Sequence, residues 1–579
     1  MKSILAVDCG STTTTAVLIE QNGGQPRLRA SGQAHSTYGP AWEDVTVGVR
    51  EAIRHVEIAV GRTLLSPGGW PITPHTSNQQ GVDAFVVVSS ASPPLRVVMA
   101  GLMQDISLAS AGRAAATTYT HVTNVISLDA GQNDQQNNTE TWLQAIRDGE
   151  PDVVLLVGGT NEGAELPVID IAQAISMALS VLQDVEKPNI LFAGNERIRP
   201  QIADILGPLT ALKSVTNVRP TLDTEDLAAV RSELEKLYIQ RKMSRLPGFE
   251  DLANWTKYPI EPASRSFEKL VAYISQRNQL NVIGINIGSR STAFSARAQG
   301  QLSTSIRSDA GVGHSLASFL ELVSVERFHR WLPFDISLEA LNDRLLNKSL
   351  YPTTIPTDIE DLLIEHAVAR EILRVVLNQA RPDASDVQWN LLMGAGRVLT
   401  GAPHAAYAVM MMLDGFEPWG VTSLTLDRSG VVNVLGAIAA IDPVAAVNVT
   451  FQDAFLNLGT VIAPVGHGRR GKTALRIKVS YAEDEILEKE IPYGSMEVIA
   501  LTPGNKATIE MRPARHFDVG LGQPGRGAVA EVEGGALGII VDARGRPLRL
   551  PKDDVQRREL LQQWLSALGV SHVSSVNNH

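Results

Sequence analysis

Ala6-Val7-Asp8-Cys9-Gly10-Ser11-Thr12-Thr13-Thr14-Thr15-Ala16-Val17-Leu18 is a pair of apolar runs joined by Asp-x-Gly-Ser and a row of hydroxyls. The pattern predicts two strands and a tight turn. Glycine lets a backbone approach a ligand closely, and successive main-chain N–H groups with Ser and Thr hydroxyls hold phosphate oxygens. Asp8 is placed to hold an accompanying Mg²⁺ through water. Taken alone, the stretch fits an ordinary hairpin turn as well as a phosphate site.

The 579 residues are too many for one core, so three or four domain-sized units are expected. Hydrophobic content of 44% is that of a globular protein, and a formal net charge of -11 argues against a general nucleic-acid or membrane-surface binder. Cys9 is the single cysteine, which excludes a disulfide framework or a multi-cysteine metal site within one chain. At a strand end it is expected to pack rather than to attack a substrate. His314, His329, His366 and His404 lack metal-ligand spacing and read as structural or surface residues. There is no leader-like start and no run of eighteen apolar residues, so a cytoplasmic protein is expected.

Helical spacing marks Glu43 to Val60, and wholly apolar runs at Ala84 to Val88 and Val153 to Val157 read as buried strands. The second run stops at Gly158-Gly159-Thr160. A polar loop, Gln132 to Asn138, lies between further strand and helix patterns, and α/β alternation continues to about residue 222. Residues 223–280 are charged and helical, a connector or cap. At Val282-Ile283-Gly284-Ile285-Asn286-Ile287-Gly288-Ser289-Arg290-Ser291-Thr292-Ala293-Phe294 the opening layout returns, which predicts a duplicated unit with a second phosphate-holding hairpin. A third glycine turn, Gly394-Ala395-Gly396, ends a strand where an adenine ring fits against backbone. The expected blocks are 1–222 and 281–442 as two halves of one α/β architecture, 223–280 between them, and a β-rich domain at 443–579.

Gly466-His467-Gly468-Arg469-Arg470-Gly471-Lys472-Thr473 matches G-x-x-x-x-G-K-[ST] at every position. A P-loop must open a helix whose N-terminus faces the phosphates, and the residues from Ala474 to Tyr481 alternate as a strand. The segment reads as an exposed basic hairpin turn.

With these turns placed, the chain resembles the glutamate mutase L family, accessory proteins of adenosylcobalamin-dependent glutamate (methylaspartate) mutase within the actin/Hsp70/sugar-kinase ATPase superfamily. The resemblance rests on Asp8-Cys9-Gly10-Ser11-Thr12, Glu43 to Val49, Val88 to Ala91 with Leu95 to Val98, Gly158-Gly159-Thr160, Ala193-Gly194-Asn195, Asp309-Ala310-Gly311, Gly394-Ala395-Gly396, Leu424 to Arg428 and Val541 to Pro547. It implies a duplicated actin-like (ribonuclease H-like) α/β fold with a helical connector and a C-terminal all-β domain, and a cleft for ATP or ADP with Mg²⁺. The implied ligand set is Gly10, Ser11, Thr12 and Thr13 on the first hairpin; Gly288, Ser289, Ser291 and Thr292 on the second; and Gly158, Gly159, Thr160, Gly394, Ala395 and Gly396 on the remaining turns. Asp8 is the implied metal and catalytic carboxylate, and Asp309 a second catalytic candidate.

The family carries Asp where this chain has Asn286 and again where it has Ala293. An amide cannot offer Mg²⁺ the charge of a carboxylate, which puts hydrolysis in question. Arg290 is foreign to the family pattern; it reads either as a phosphate contact or as a surface arginine.

Three functions are expected to compete. One is an ATP-driven reactivating or chaperone-like factor for the subunits of a cobalamin mutase, at most a weak ATPase and not the catalyst of the mutase reaction. Another is a nucleotide-binding scaffold without hydrolysis. The third is a small-molecule kinase with Asp309 beside the acceptor hydroxyl.

Overall fold

In the computed structural model, which describes residues 1–40, 42–76, 80–129, 139–181, 186–380, 387–481 and 485–570, the opening stretch forms β1 (Ser3–Cys9) and β2 (Thr13–Asn22). The polar loop Gln132 to Asn138 lies outside the described residues. β3 (Gln25–His35) completes an antiparallel meander. β4 (Ala84–Ser89) then runs parallel to β1, and β10 (Glu261–Pro262) parallel to β4, giving the order β3-β2-β1-β4-β10.

The second half repeats this plan. β11 (Val282–Ile287), β12 (Thr292–Ala298), β13 (Gln301–Arg307), β14 (Leu391–Ala395) and β15 (Gly420–Asp427) adopt the order β13-β12-β11-β14-β15. β11 pairs antiparallel with β12 and parallel with β14, and β14 parallel with β15. Equal order and equal strand senses in two sheets make this the duplicated actin-like fold. Inner strands such as β4 are buried at every position because helices cover them, and their apolar runs therefore lack alternation. On the second sheet the Ala405–Phe416 helix packs its Met410, Met411 and Met412 into the core, all 0% exposed. An apolar side chain fully buried in this way contributes about 1.5–3 kcal/mol.

The C-terminal region is sheet-rich, and part of it continues the second sheet. β16 (Phe455–Ala463) pairs antiparallel with β15, β24 (Ile539–Asp542) parallel with β16, and β20 (Met496–Ile499) antiparallel with β24. β19 (Ile486–Pro492), β18 (Thr473–Ser480), β21 (Lys506–Pro513) and β23 (Ala528–Glu533) form a separate antiparallel sheet, and β17 (Val465–Gly466) a short ladder with β22 (Phe517–Asp518). The Gly466–Thr473 segment thus leads into a strand, β18, and not into a helix. The Walker-like match lacks the setting a P-loop needs.

Contacts divide the chain into two compact units: unit 1, comprising Met1–Ser90, Asp251–Thr304 and Asp309–His579, and unit 2, comprising Ala91–Glu250 and Ser305–Ser308. Unit 2 is inserted in the chain between β4 and β10. It holds an all-parallel sheet of β5 (Leu95–Gly101), β6 (Thr120–Ser127), β7 (Val153–Leu156), β8 (Asn189–Phe192) and β9 (Leu212–Ser214), in the order β6-β5-β7-β8-β9. That is a doubly wound arrangement with its own core around Val98, Leu156, Ile175 and Phe192. Residues 91–222, read from sequence as part of the first block, belong with this unit. Residues 223–280 form the helices Ala228–Arg241, Phe249–Trp255 and Ala263–Asn278.

Candidate nucleotide site

The two glycine turns of unit 1 are built alike. The Gly10 N–H donates to the Thr13 carbonyl at 3.1 Å, and the Gly288 N–H to the Ser291 carbonyl at 2.9 Å. A Cβ at Gly10 would stand 2.6 Å from the Thr13 carbonyl oxygen, and one at Gly288 2.8 Å from that of Ser291. Only glycine closes either turn. Asp8 pairs across its hairpin with Thr15, and Asn286 occupies the same place opposite Ala293.

A residue outside both hairpins joins them. Asn433, in the Val432–Ala439 helix, donates from Nδ2 to Asp8 Oδ2 at 2.7 Å, and its Oδ1 accepts from Asn286 Nδ2 at 2.9 Å. The charge on Asp8 turns the Asn433 nitrogen toward it, which aims Oδ1 at residue 286. That position must then donate. An aspartate there would set acceptor against acceptor, so the amide at 286 suits the link. The helix that carries Asn433 is seated by Asp427 at the end of β15, whose carboxylate accepts the N–H groups of Val431 and Val432, each at 3.1 Å.

Burial raises the Asp8 pKa to about 6; the Asn433 bond opposes the shift and the Asp427 charge adds to it. Asp427 is likewise pushed up to about 6 by burial, against the lowering effect of the backbone N–H groups it accepts. Asp8 Oδ1 is buried with no hydrogen-bond partner. Cys9 is 1% exposed, and burial drives its thiol well above the ordinary range, as befits packing rather than nucleophilic use.

Around the first hairpin, Ser36 donates from Oγ to the Gly10 carbonyl at 2.5 Å and from its N–H to that of Thr12 at 2.9 Å. Ser11, Thr12 and Thr13 remain part-exposed, whereas Thr14 is buried. Around the second, the N–H groups of Val312 and Gly313 donate to the carbonyls of Gly288 and Ser289 at 3.1 and 3.0 Å. Asp309 starts this supporting turn, half-buried. Thr292 is buried and commits its hydroxyl to the Ala310 carbonyl at 2.8 Å, which leaves Ser289 and Ser291 as the part-exposed hydroxyls of that hairpin. Ser289 Oγ lies 3.0 Å from His314 Nδ1; burial first, then the Arg290 charge, lowers the His314 pKa to about 4 and keeps the ring neutral. Arg290 is no simple surface arginine. Its Nη2 donates to the Tyr38 hydroxyl beyond β3, its Cζ lies 5.7 Å from that ring's centroid, and its Nε is buried without a partner.

Gly396 comes directly after β14 at φ 95°, and a Cβ there would lie 2.1 Å from the Ile287 carbonyl oxygen, so this turn abuts the second hairpin. Ala395 pairs in register with Asn286 and is 2% exposed. Gly394 sits inside β14, where Met412 Sδ would meet an added Cβ at 3.1 Å, an intimate core contact. Gly158, Gly159 and Thr160 belong to unit 2. They form the turn after β7, where the Gly158 carbonyl accepts the Asn195 N–H at 3.0 Å and the Gly159 carbonyl accepts Asn217 Nδ2 at 2.8 Å.

Sequence reasoning missed Asn433, Ser36, Tyr38 and the part played by His314. The available signal for Asn433 was a single amide in the apolar run Val431 to Leu435, shortly after Asp427.

Among the described residues no cluster of three or more His, Cys, Asp or Glu side chains is able to hold a metal. The residues nonetheless fit a Mg²⁺ carried by a nucleotide. Such an ion takes one or two carboxylates, with waters and phosphate oxygens completing its shell, and Asp8 presents an unpartnered carboxylate oxygen beside two Gly-Ser turns.

Residues 4–454 match the MutL family, described as MutL protein. Protein MutL of Clostridium tetanomorphum is 23% identical over 359 residues, 57% of this chain and 69% of that relative. Among solved structures, the nucleotide-free acetone carboxylase covers 85% of this chain and 81% of its own, at 12% identity and TM-score 0.35. The Clostridium difficile activator of 2-hydroxyisocaproyl-CoA dehydratase, solved with bound ADPNP, covers 76% of this chain and 95% of its own, at 12% identity and TM-score 0.29. No helix among the described residues is long and apolar enough to cross a membrane. Two matching hairpins in a duplicated actin-like fold and a family match over most of the length agree: the chain belongs to the MutL family, the glutamate mutase L proteins.

Proposed function

We propose that this protein binds ATP and ADP with Mg²⁺ between its two glycine hairpins and serves as a cytoplasmic accessory or reactivating factor for the subunits of an adenosylcobalamin-dependent mutase such as glutamate mutase. The observation that carries the nucleotide reading is the Asp8–Asn433–Asn286 chain, which joins both hairpins through one side chain and leaves Asp8 Oδ1 without a partner. Ser11, Thr12 and Thr13 with the first turn, and Ser289 and Ser291 with the second, would hold phosphate oxygens, with Gly396 beside the adenosine. Mg²⁺ held there would neutralise phosphate charge. Asp8 would hold that ion, and in doing so compete for the carboxylate that now orients Asn433. Nucleotide state thereby biases how the hairpins are held, and a partner that grips one arrangement reads that bias.

A second reading, binding without turnover, is favoured by Asn286, whose amide is committed to Asn433 where the family carries a carboxylate. Calorimetry of ATP with and without Mg²⁺ and a phosphate-release assay on wild type and Asp8→Ala separate the two. Magnesium-dependent binding with slow release that Asp8→Ala abolishes supports an ATPase factor; binding without release supports the scaffold. Absence of nucleotide binding refutes both. Co-purification with a neighbouring cobalamin mutase that ATP, ADP and an ATP analogue leave unchanged refutes the nucleotide-coupled factor.

A further inference from the structure

Unit 1 buries a second concentration of charge, distant in sequence from the hairpins. Glu371, 0% exposed, is shared by Arg327 at 2.6 Å and Arg330 at 2.5 Å, and also accepts Trp331 Nε1 at 2.6 Å. Asp414 is shared by Arg370 and Arg544, each at 2.7 Å, and Asp542 by Arg544 at 2.8 Å and Arg546 at 2.6 Å. Arg374 has Glu417 at 2.5 Å. Among the described residues this network sets six guanidinium groups against four carboxylates. The excess is positive, and it falls on Arg327, Arg330 and Arg374, whose side chains are 40%, 34% and 24% exposed and so face solvent.

The excess has an outlet. Arg330, Arg374 and Arg557 line a cleft of about 160 Å³ whose other walls include Trp331, Leu548 and Leu550, and no acidic residue among those described lines it. The Cζ atoms of Arg330, Arg370 and Arg374 crowd the Trp331 indole at 4.9, 5.7 and 5.9 Å from its centroid. Arg557 is 6% exposed and pairs with Asp554, yet its Nε has no hydrogen-bond partner, and neither has the Nε of Arg330. Guanidinium forks match the oxygens of a carboxylate or a phosphate in pairs. The volume is below the roughly 300 Å³ at which pockets for drug-sized ligands begin. A nucleotide is excluded by size, while the leucine walls suit a short carbon chain.

We propose that this cleft binds a small organic oxyanion, its carboxylate or phosphate head on Arg330, Arg374 and Arg557 and its short apolar body against Leu548 and Leu550. The site is separate from the glycine hairpins and does not depend on nucleotide binding.

The test is calorimetry and ligand-observed NMR of the full chain with butyrate, butyl phosphate, inorganic phosphate and butanol. One of the two organic anions is expected to bind with Kd at or below about 1 mM, and butanol not at all. The tighter of the two identifies the head group; inorganic phosphate is expected to be weaker than butyl phosphate for want of the apolar body. Arg374→Gln and Arg557→Gln should each weaken the organic anion at least about tenfold, while Ser11→Ala and Ser289→Ala leave it unchanged. Leu550→Glu supplies a carboxylate from the chain itself and should abolish binding in the folded protein, which decides the matter if an arginine variant fails to fold. Equal affinity in wild type and Leu550→Glu, or no organic anion bound more tightly than about 10 mM, overturns the proposal.

Discussion

Asp8→Asn is expected to make the protein more stable and to abolish its use of magnesium. A carboxyl whose pKa stands at about 6 instead of 3.8 holds its charge in the fold at a cost of about 3 kcal/mol, taking roughly 1.4 kcal/mol per pH unit. The part of Asp8 that remains exposed is screened by solvent, which brings the figure to about 2 kcal/mol. Linkage sets the sign. Because the folded pKa is raised, the stabilisation from a protonated Asp8 is complete below pH 3.8 and is lost as pH rises through about 6. Wild type therefore bears the full penalty above about pH 7, and the asparagine variant bears none. Asn433 keeps an acceptor, since the new amide oxygen takes the place of Oδ2. Urea denaturation monitored by tryptophan fluorescence should show the variant and wild type nearly equal at about pH 4, with the variant ahead by about 2 kcal/mol at about pH 7.5. Calorimetry on the same samples should show ATP affinity that no longer responds to Mg²⁺. A stability difference that is flat across this pH range, or a variant less stable than wild type at neutral pH, would refute the assignment of a strained buried carboxylate to Asp8.

The same geometry carries other expectations. Asn433→Leu strips Asp8 of its hydrogen-bond donor and should cost about 1–3 kcal/mol in the urea midpoint analysis while weakening MgATP binding. Asn286→Asp opposes two acceptors and should destabilise by a similar amount; if phosphate release instead rises, the amide was what suppressed hydrolysis. Asp414→Asn leaves Arg370 and Arg544 sharing a neutral partner in the core, and a loss of about 3–5 kcal/mol should appear as a lower Tm or failure to accumulate as folded protein. Lys472→Ala, in the Walker-like turn ahead of β18, should leave ATP affinity unchanged by calorimetry.

Both hairpins were legible in the sequence because their signals are local. A Gly-Ser turn between apolar runs states its own conformation, and repetition at Asn286 states the duplication. The two-residue strand β10 and the extension of the second sheet by β16, β24 and β20 were not, because an apolar or alternating run reads the same whichever sheet it joins. For the same reason residues 91–222 read as more of the first half, although β5 to β9 pair only among themselves. At the site, Gly10 and Gly288 were found by a steric demand that the turn makes on its own residues. Asn433 was invisible because its demand comes from Asp8, 425 positions away. Gly394 was legible for its place in a glycine turn, whereas its close approach to Met412 comes from a helix later in the chain and has no local signal.

The insertion of unit 2 between β4 and β10 bears on how the chain is made. Synthesis delivers β1 to β4 early, and then the whole of the inserted sheet, before the strand that caps the β4 edge appears at Glu261–Pro262. At about 5–20 residues per second the Val88–Ser89 end of that edge, which Glu261 and Pro262 pair, is left unpaired for on the order of ten seconds or more, long compared with strand pairing. Unit 2, nearly contiguous in the chain, is free to complete its own core in that interval. The nascent first half is therefore the stage at which this protein most needs protection from aggregation, and a stretch of translation slowed by rare codons after residue 90 would prolong it.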